Sequence, residues 1–367
     1  NTTRALSVLM VDFSCALKLS MPIAVLSAMR ECSSYHISVK GGRFLEAVSK
    51  ADTVVFDKTG TLTYATPKVA QIVTFGGHEA SEMLRLAACL EEHYPHSMAN
   101  AVVDEAKRQN LKHEEYHSQV QYVVAHGISS MVEDKKVLIG SAHFVFEDEG
   151  CTIPAAEQEK FDTLDAQYSH LYLCIAGELA AVICIFDPLR AEAKDAIRAL
   201  HACGISKVVM MTGDNRRTAA SVAEEVGVDE FYAEVLPEDK AAFISREKAA
   251  GRTVIMIGDG VNDSPALSEA DAGVAISTGA AIAREIADIT IASEDLFELV
   301  TLRRISEALM GRIHRNYRFI VGFNLGLIVF GVAGLLPPTT SALLHNASTL
   351  AISLKSMTNL LPDKKKI

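Results

Sequence analysis

Three apolar runs that each end in an acidic residue constrain the fold of this chain most. They are TVVFD (53–57), KVVMMTGD (207–214) and TVIMIGD (253–259). Stretches of helical pattern at 190–203, 215–227 and 238–250 separate or follow them. Strand-length apolar runs alternating with helices imply an α/β fold, a parallel sheet flanked by helices. Ligands of such sheets sit at the carboxyl ends of the strands. The three runs therefore deliver Asp57, Asp214 and Asp259 to one edge.

Three carboxylates beside glycine, threonine and lysine make a poor core, because a buried charge is costly unless paired or metal-bound. They make a good site for Mg²⁺ and phosphate, since Mg²⁺ takes hard oxygen ligands and is usually held by few carboxylates plus substrate phosphate. Asp57 is then the candidate nucleophile. A carboxylate that attacks a phosphoryl group splits one hard transfer into two easier ones. The bland alternative is that these are turn residues after core strands.

DKTGTLT (57–63), TGD (212–214) and GDGVNDSPAL (258–267) resemble the signature set of the P-type ATPases, carried on a haloacid-dehalogenase-like phosphorylation domain. DPLR (187–190) and the lysine of AEVLPEDK (233–240) match the same family. The resemblance implies that Asp57, followed by Lys58 of the motif, takes the γ-phosphate of ATP. It implies Mg²⁺ held by Asp57, the Thr59 carbonyl and Asp259, with Thr212 and Lys240 neutralising phosphoryl oxygens. Gly213 and Asp214 would approach the nucleotide phosphates, and Asn262 and Asp263 would complete the wall around them.

The phosphorylation domain is expected over 31–68 and 185–312, interrupted by 69–184, where the family places an inserted α+β nucleotide-binding domain. YPHSMA (94–99) resembles the SEHPLA-like string of the heavy-metal branch and puts His96 at the adenine-stacking position. Pro95 and Ser97 depart from that string. Gly127 in AHG and Gly140 in VLIGS match the branch's glycines near the nucleotide. Read alone, the histidine is a surface or cap residue and the glycines are β-turns.

Hydrophobic residues make up 49% of the chain although 22% is charged, which suggests a soluble body with membrane segments attached. The net charge of −11 disfavours nucleic acid, which is not an expected partner. Seven scattered cysteines without a CxxC pair read as core thiols of a reducing compartment. Three transmembrane helices are expected, one within 1–30 and two within 313–367, from the apolar runs 5–29, 319–336 and 341–361. Arg30, Lys40, Arg43, Arg312, Arg315, Arg318 and Lys364–Lys366 would then share one side, as the positive-inside tendency asks. An amphipathic core helix is the alternative for the first and last runs.

SCALKLSMP (14–22) is similar to the CPCALGLATP metal-site helix of the heavy-metal pumps, and VKGG (39–42) is typical of that branch. Phe13, Ser14 and Lys18 depart from it, which leaves Cys15 as the surviving thiolate. Asp12 lies three residues before Cys15 and shares its helix face. HNAST (345–349) stands where the branch carries an MxxSS-type string, so the expected cargo ligands are Asp12, Ser14, Cys15, His345, Asn346 and Thr349. A thiolate, a carboxylate and an imidazole favour Zn²⁺ or Mn²⁺ over copper(I), with Co²⁺ and Fe²⁺ as further candidates. Asp12 pairing with Lys18 or Arg4, and His345 bonding between helices, are the structural alternatives.

The expected function is ATP-driven export of a transition-metal cation across a membrane through an aspartyl-phosphate on Asp57. Its partners would be ATP, the metal ion, the lipid bilayer and an N-terminal part of the same polypeptide, because no TGE-type motif or early membrane helix is present. A multi-pass protein of a bacterial plasma membrane with cytoplasmic catalytic domains is implied. Alternatives are a potassium or calcium pump, a phosphatase of the same superfamily and a non-catalytic membrane metal-binding fragment. A phosphatase usually has a second acid two residues after the nucleophile, where Thr59 stands.

Overall fold

The computed structural model describes residues 2–11, 13–64, 66–92, 97–111, 117–123, 127–259, 263–276, 285–293 and 295–362. The chain forms two units, one combining residues 1–51 with 288–367 and the other holding 52–276.

In the larger unit, β2 (Thr53–Asp57), β9 (Lys207–Met211), β10 (Glu230–Tyr232), β11 (Val254–Gly258) and β12 (Ala272–Ile276) form parallel strands in the order β12-β11-β2-β9-β10. Every residue of β2, β11 and β12 is buried, which is why these runs are continuously apolar rather than alternating. Helices α7 (Ala193–Ala202), α8 (Arg216–Val226), α9 (Pro237–Ala249) and α10 (Ser264–Glu269) belong to the same unit. Helix α7 buries Ala193, Ala196, Ile197 and Leu200, a spacing of three and four residues that forms one apolar stripe. The Asn215 side chain caps α8 by accepting from the Thr218 amide, and Gly227 ends it in the left-handed region at φ 78°. Pro237 starts α9, where its missing N–H costs no helical bond.

Between β2 and the rest of this sheet the chain builds a second, antiparallel sheet. Its order is β3-β8-β7-β6-β5-β4, from β3 (Lys68–Thr74), β4 (His117–Val123), β5 (Gly127–Val132), β6 (Lys135–Gly140), β7 (Ser169–Ile175) and β8 (Glu178–Phe186). Helices α4 (Ala80–Glu91) and α5 (Ser97–Arg108) cover one face, joining Leu84, Ala87 and Val102 to Ile139, Leu173 and Ile183. The other face carries Phe75, Phe144, Tyr172 and Val182. Apolar cover on both faces accounts for the nearly continuous apolar sequence of β8.

The smaller unit contains α1 (Thr2–Leu9), α2 (Phe13–Ser34), β1 (Ile37–Val39), α3 (Gly42–Lys50), β13 (Ile289–Ile291), α11 (Phe297–Val332) and α12 (Pro338–Ser356), with β1 antiparallel to β13. Polar contacts fasten its helix ends. Glu31 accepts from the Leu360 and Leu361 amides at 2.6 and 2.9 Å, and Ser27 and Arg30 both donate to the Met357 carbonyl at 3.0 Å.

The expectation of three transmembrane helices is not matched: among the described residues no helix is long and apolar enough to cross a membrane. Helix α11 ends at Val332 and Gly334 turns into the left-handed region at φ 81°, which cuts the apolar run 319–336 short. The helical remainder, 319–332, spans about 21 Å at 1.5 Å per residue, against roughly 30 Å of hydrocarbon. Helix α12 is 19 residues long and is diluted by Ser341, His345, Asn346, Ser348, Thr349 and Lys355. Helix α2 has 22 residues but includes Lys18, Arg30 and Glu31, with Pro22 inside it.

Candidate active site at the edge of the parallel sheet

The central strand β2 ends on Asp57, between β9, which leads to Thr212 and Asp214, and β11, which leads to Asp259. The register sets Phe56 opposite both Met210 and Ile257, so the three strand ends finish level. After Asp57 the chain makes a closed wide turn. The Thr61 hydroxyl donates to the Asp57 carbonyl, the Thr63 amide donates to the Lys58 carbonyl at 3.2 Å, and the Gly60 amide donates to Thr63 Oγ1 at 2.9 Å. Gly60 takes φ 76°, the left-handed conformation that costs glycine little. These bonds explain the glycine and threonines of DKTGTLT. Arg190 of DPLR donates from Nε to the Thr61 and Thr63 carbonyls at 2.8 and 3.1 Å and ties this turn to the chain returning from β8.

Two ammonium groups divide the carboxylates between them. Lys240 shares the buried side of α9 with Phe243 and Ile244. Its Nζ donates to Asp57 Oδ1 and to Asp263 Oδ1, both at 2.7 Å. Lys58 Nζ lies 2.5 Å from Asp214 Oδ2 and 3.9 Å from Asp187 Oδ2, and it donates to Ser169 Oγ at 2.9 Å. Asp263 reaches the site because Gly258 has no side chain: a Cβ there would fall 2.7 Å from Asp263 Oδ2. The Asp214 amide donates to Thr212 Oγ1 at 3.1 Å, which fixes the TGD turn.

The charges respond accordingly. Burial, then the neighbouring Asp263, pushes the Asp57 carboxyl up to about 6, although Lys240 and Lys58 pull the other way. Burial lowers the Lys58 ammonium, but Asp214 and Asp187 outweigh it and hold the group above its usual value. Burial raises Asp214, but Lys58, with the Ser169 and Thr212 hydroxyls, holds that carboxyl below its usual range. Asp187 is raised by burial, which Lys58 only partly offsets.

Asp57, Asp259 and the Thr59 carbonyl would offer Mg²⁺ the hard oxygens that it takes. Among the described residues no three His, Cys, Asp or Glu side chains converge as a ready metal cage.

Of the residues expected from sequence, Lys240 bonds Asp57 and Asp263, and Lys58 separately pairs with Asp214. Thr59 is half-buried in the turn, and Gly213 is exposed, with nothing within 4 Å of an added Cβ. Asn262 lies outside the described residues, as do His96 and Asp12, and as do the side chains of Ser14 and Cys15. Gly127 and Gly140 are direct cross-strand partners in β5 and β6. A Cβ on Gly127 would sit 2.5 Å from both the Ile139 carbonyl oxygen and Phe144 Cδ1, so internal packing alone requires a glycine there. His345 is buried with Nδ1 2.9 Å from Asn324 Oδ1, a bond between α12 and α11. Asn346 is exposed, while Thr349 turns its hydroxyl back to the His345 carbonyl at 2.9 Å.

Asp187 and Arg190 have no role assigned from sequence, and Ser169 belongs to no motif there. DPLR carried a signal for the first two. Nothing local marks Ser169, which is 111 residues from Lys58.

A parallel sheet whose strand ends bring an aspartate, a lysine and further carboxylates together is a frame suited to phosphoryl chemistry. The chain belongs to the haloacid dehalogenase-like hydrolase family, which residues 51–271 match. More particularly, it is 35% identical over 352 residues to a manganese-exporting P-type ATPase of Mycobacterium bovis, covering 95% of this chain and 49% of that protein. It is also 35% identical over 361 residues to a probable copper-exporting P-type ATPase V of Mycobacterium tuberculosis, covering 97% of this chain and 46% of that protein. A crystal structure of a zinc-transporting PIB-type ATPase in the E2.Pi state superposes with TM-score 0.65 at 32% identity, over 94% of this chain and 55% of that one. The chain spans about half the length of the curated relatives it matches. The resemblance to heavy-metal P-type ATPases read from the motifs thus extends along nearly the whole chain, and its α/β domain with the inserted domain is the fold of that group.

Proposed function

We propose that this chain is the catalytic and metal-site part of an ATP-driven exporter of a divalent transition metal, working through an aspartyl-phosphate on Asp57. The observation that carries the reading is Asp57 at the end of the central strand, bonded to Lys240, beside a Lys58–Asp214 pair. Asp57 Oδ attacks the γ-phosphorus of ATP, and the bond from that phosphorus to the bridging oxygen of ADP breaks. Lys240 moves its hydrogen bonds from carboxylate to phosphoryl oxygen, and Thr212 supplies a hydroxyl beside it, which stabilises charge where it develops. Asp57, Asp259 and the Thr59 carbonyl would hold Mg²⁺, which would supply positive charge to the phosphoryl oxygens. The inserted domain would carry the nucleotide; the motif match proposes His96, Gly127 and Gly140 for that role, of which Gly127 also has a packing reason to be glycine.

Zn²⁺ or Mn²⁺ is the proposed cargo, from Asp12, Cys15 and the α12 residues. The relatives' names include manganese, copper and zinc, so they support the class of metal rather than one ion. We propose that α2, α11 and α12 contact lipid in the full-length protein through their exposed apolar side chains, and that the catalytic unit is cytoplasmic. Support comes from large apolar side chains more than half exposed on these helices: Leu26, Leu325, Val329, Phe330, Leu343 and Leu350.

Acid-stable labelling by γ-labelled ATP with Mg²⁺, across Zn²⁺, Mn²⁺, Co²⁺, Fe²⁺ and Cu⁺, tests the reading. The chain takes label, Asp57→Asn takes none, and one metal raises the level. A folded, ATP-binding chain that takes no label would refute the assignment.

A further inference from the structure

We propose that Ser169, a residue of the inserted sheet, is a positioning residue for phosphoryl transfer to Asp57, acting through Lys58. The inference rests on the aspartyl-phosphate reading above and adds a residue outside every motif of the sequence.

Lys58 follows the nucleophile directly, yet its ammonium is not bonded to Asp57, which Lys240 holds instead. Lys58 is 3% exposed and its partners are Asp214 Oδ2 at 2.5 Å, Ser169 Oγ at 2.9 Å and, more distantly, Asp187 Oδ2 at 3.9 Å. An ammonium has three N–H donors and no acceptor. The carboxylates supply the compensating charge, and the hydroxyl supplies direction. With its tip fixed, Lys58 anchors the main chain between the Asp57 carboxylate and the Thr59 carbonyl, the two groups that must face the phosphoryl donor together.

Ser169 is itself firmly placed. It is 3% exposed, is the first residue of β7, and pairs across the sheet with Ile185. The chain before it is laced to the start of α8, just after Asp214. Arg217 donates to the Asp162 and Leu164 carbonyls at 2.8 and 3.0 Å, and Thr218 Oγ1 donates to the Tyr168 carbonyl at 3.0 Å. His170 Nδ1 lies 3.2 Å from Asn215 Nδ2. Ser169, Lys58 and Asp214 are therefore held as one group, and the phosphorylation turn is fully anchored only while the inserted sheet sits against α8.

The test measures initial labelling rates of the wild-type chain, Asp57→Asn, Ser169→Ala and Ser169→Thr, with Mg²⁺ and two donors. One donor is γ-labelled ATP; the other is labelled acetyl phosphate, which has no nucleotide and releases acetate as the bond from phosphorus to Asp57 forms. Ser169→Ala is expected to lower the rate about ten-fold or more with both donors, while the KM for ATP stays within two-fold. Ser169→Thr restores at least half of the rate. The unchanged KM shows that the variant is folded, and the acetyl phosphate loss separates positioning from nucleotide binding. A wild-type rate in Ser169→Ala, a loss confined to ATP, or no rescue by threonine overturns the inference. Absence of Asp57-dependent label in the wild type overturns the underlying reading and the inference with it.

Discussion

At the scale of residues, the site is a problem of charge. Asp57 must be ionised to attack, and its carboxyl is raised to about 6 by burial and by Asp263. A raised acid is protonated below that value, so labelling of Asp57 should fall as pH drops through about 6 at limiting Mg²⁺. Saturating Mg²⁺ favours the carboxylate and should move the decline to lower pH; a rate profile at two Mg²⁺ concentrations checks both. Lys240 opposes the rise at Asp57, because it touches the nucleophile and Asp263 at once. Replacing it by alanine should slow labelling by roughly 10²–10³-fold, the range seen when a preorganised charge-stabilising group is removed. It also leaves two buried carboxylates facing each other, so the Asp57 carboxyl should rise further and the pH decline shift upward. The sequence identified Asp57 and Asp214 from strand ends alone, and Lys240 by resemblance. It was silent on Ser169, because a hydrogen bond across 111 positions leaves no local pattern.

At the scale of elements, glycine separates fold from function. Gly127 in β5 packs against Phe144 and the Ile139 carbonyl with no room for a methyl group. Gly127→Ala should destabilise the chain by about 1–3 kcal/mol, the usual cost of overpacking, read as a lower urea midpoint. Gly213 lies in open space, so Gly213→Ala should change stability by less than about 0.5 kcal/mol, and any effect on labelling would then report the approach of nucleotide phosphate. Both glycines were named from sequence as nucleotide-site residues, and motif matching could not tell them apart. Steric demand depends on what a neighbouring strand and helix bring close, which only the folded sheet defines. Helix α9 gives the complementary case: the pattern predicted a helix at 238–250, and the structure turns Lys240 inward beside Phe243 and Ile244.

At the scale of the whole molecule, the helices carrying exposed Leu26, Val329, Leu343 and Leu350 should bind lipid. The chain is expected to float with liposomes in a density gradient at high salt; recovery at the bottom of the gradient would remove the membrane placement of these helices. The sequence by itself determined the parallel sheet, the carboxylates at its edge and the family. All of these follow from short-range patterning: strand-length apolar runs, their order, and contiguous motifs. Tertiary structure alone decided which ammonium pairs with which carboxylate, that Gly127 and Gly140 face each other, and that His345 bonds to Asn324. It also ended α11 at Val332, four residues before the apolar run gives out. These outcomes depend on distances between segments far apart in the chain, set by sheet register and helix packing, and no window of sequence contains them.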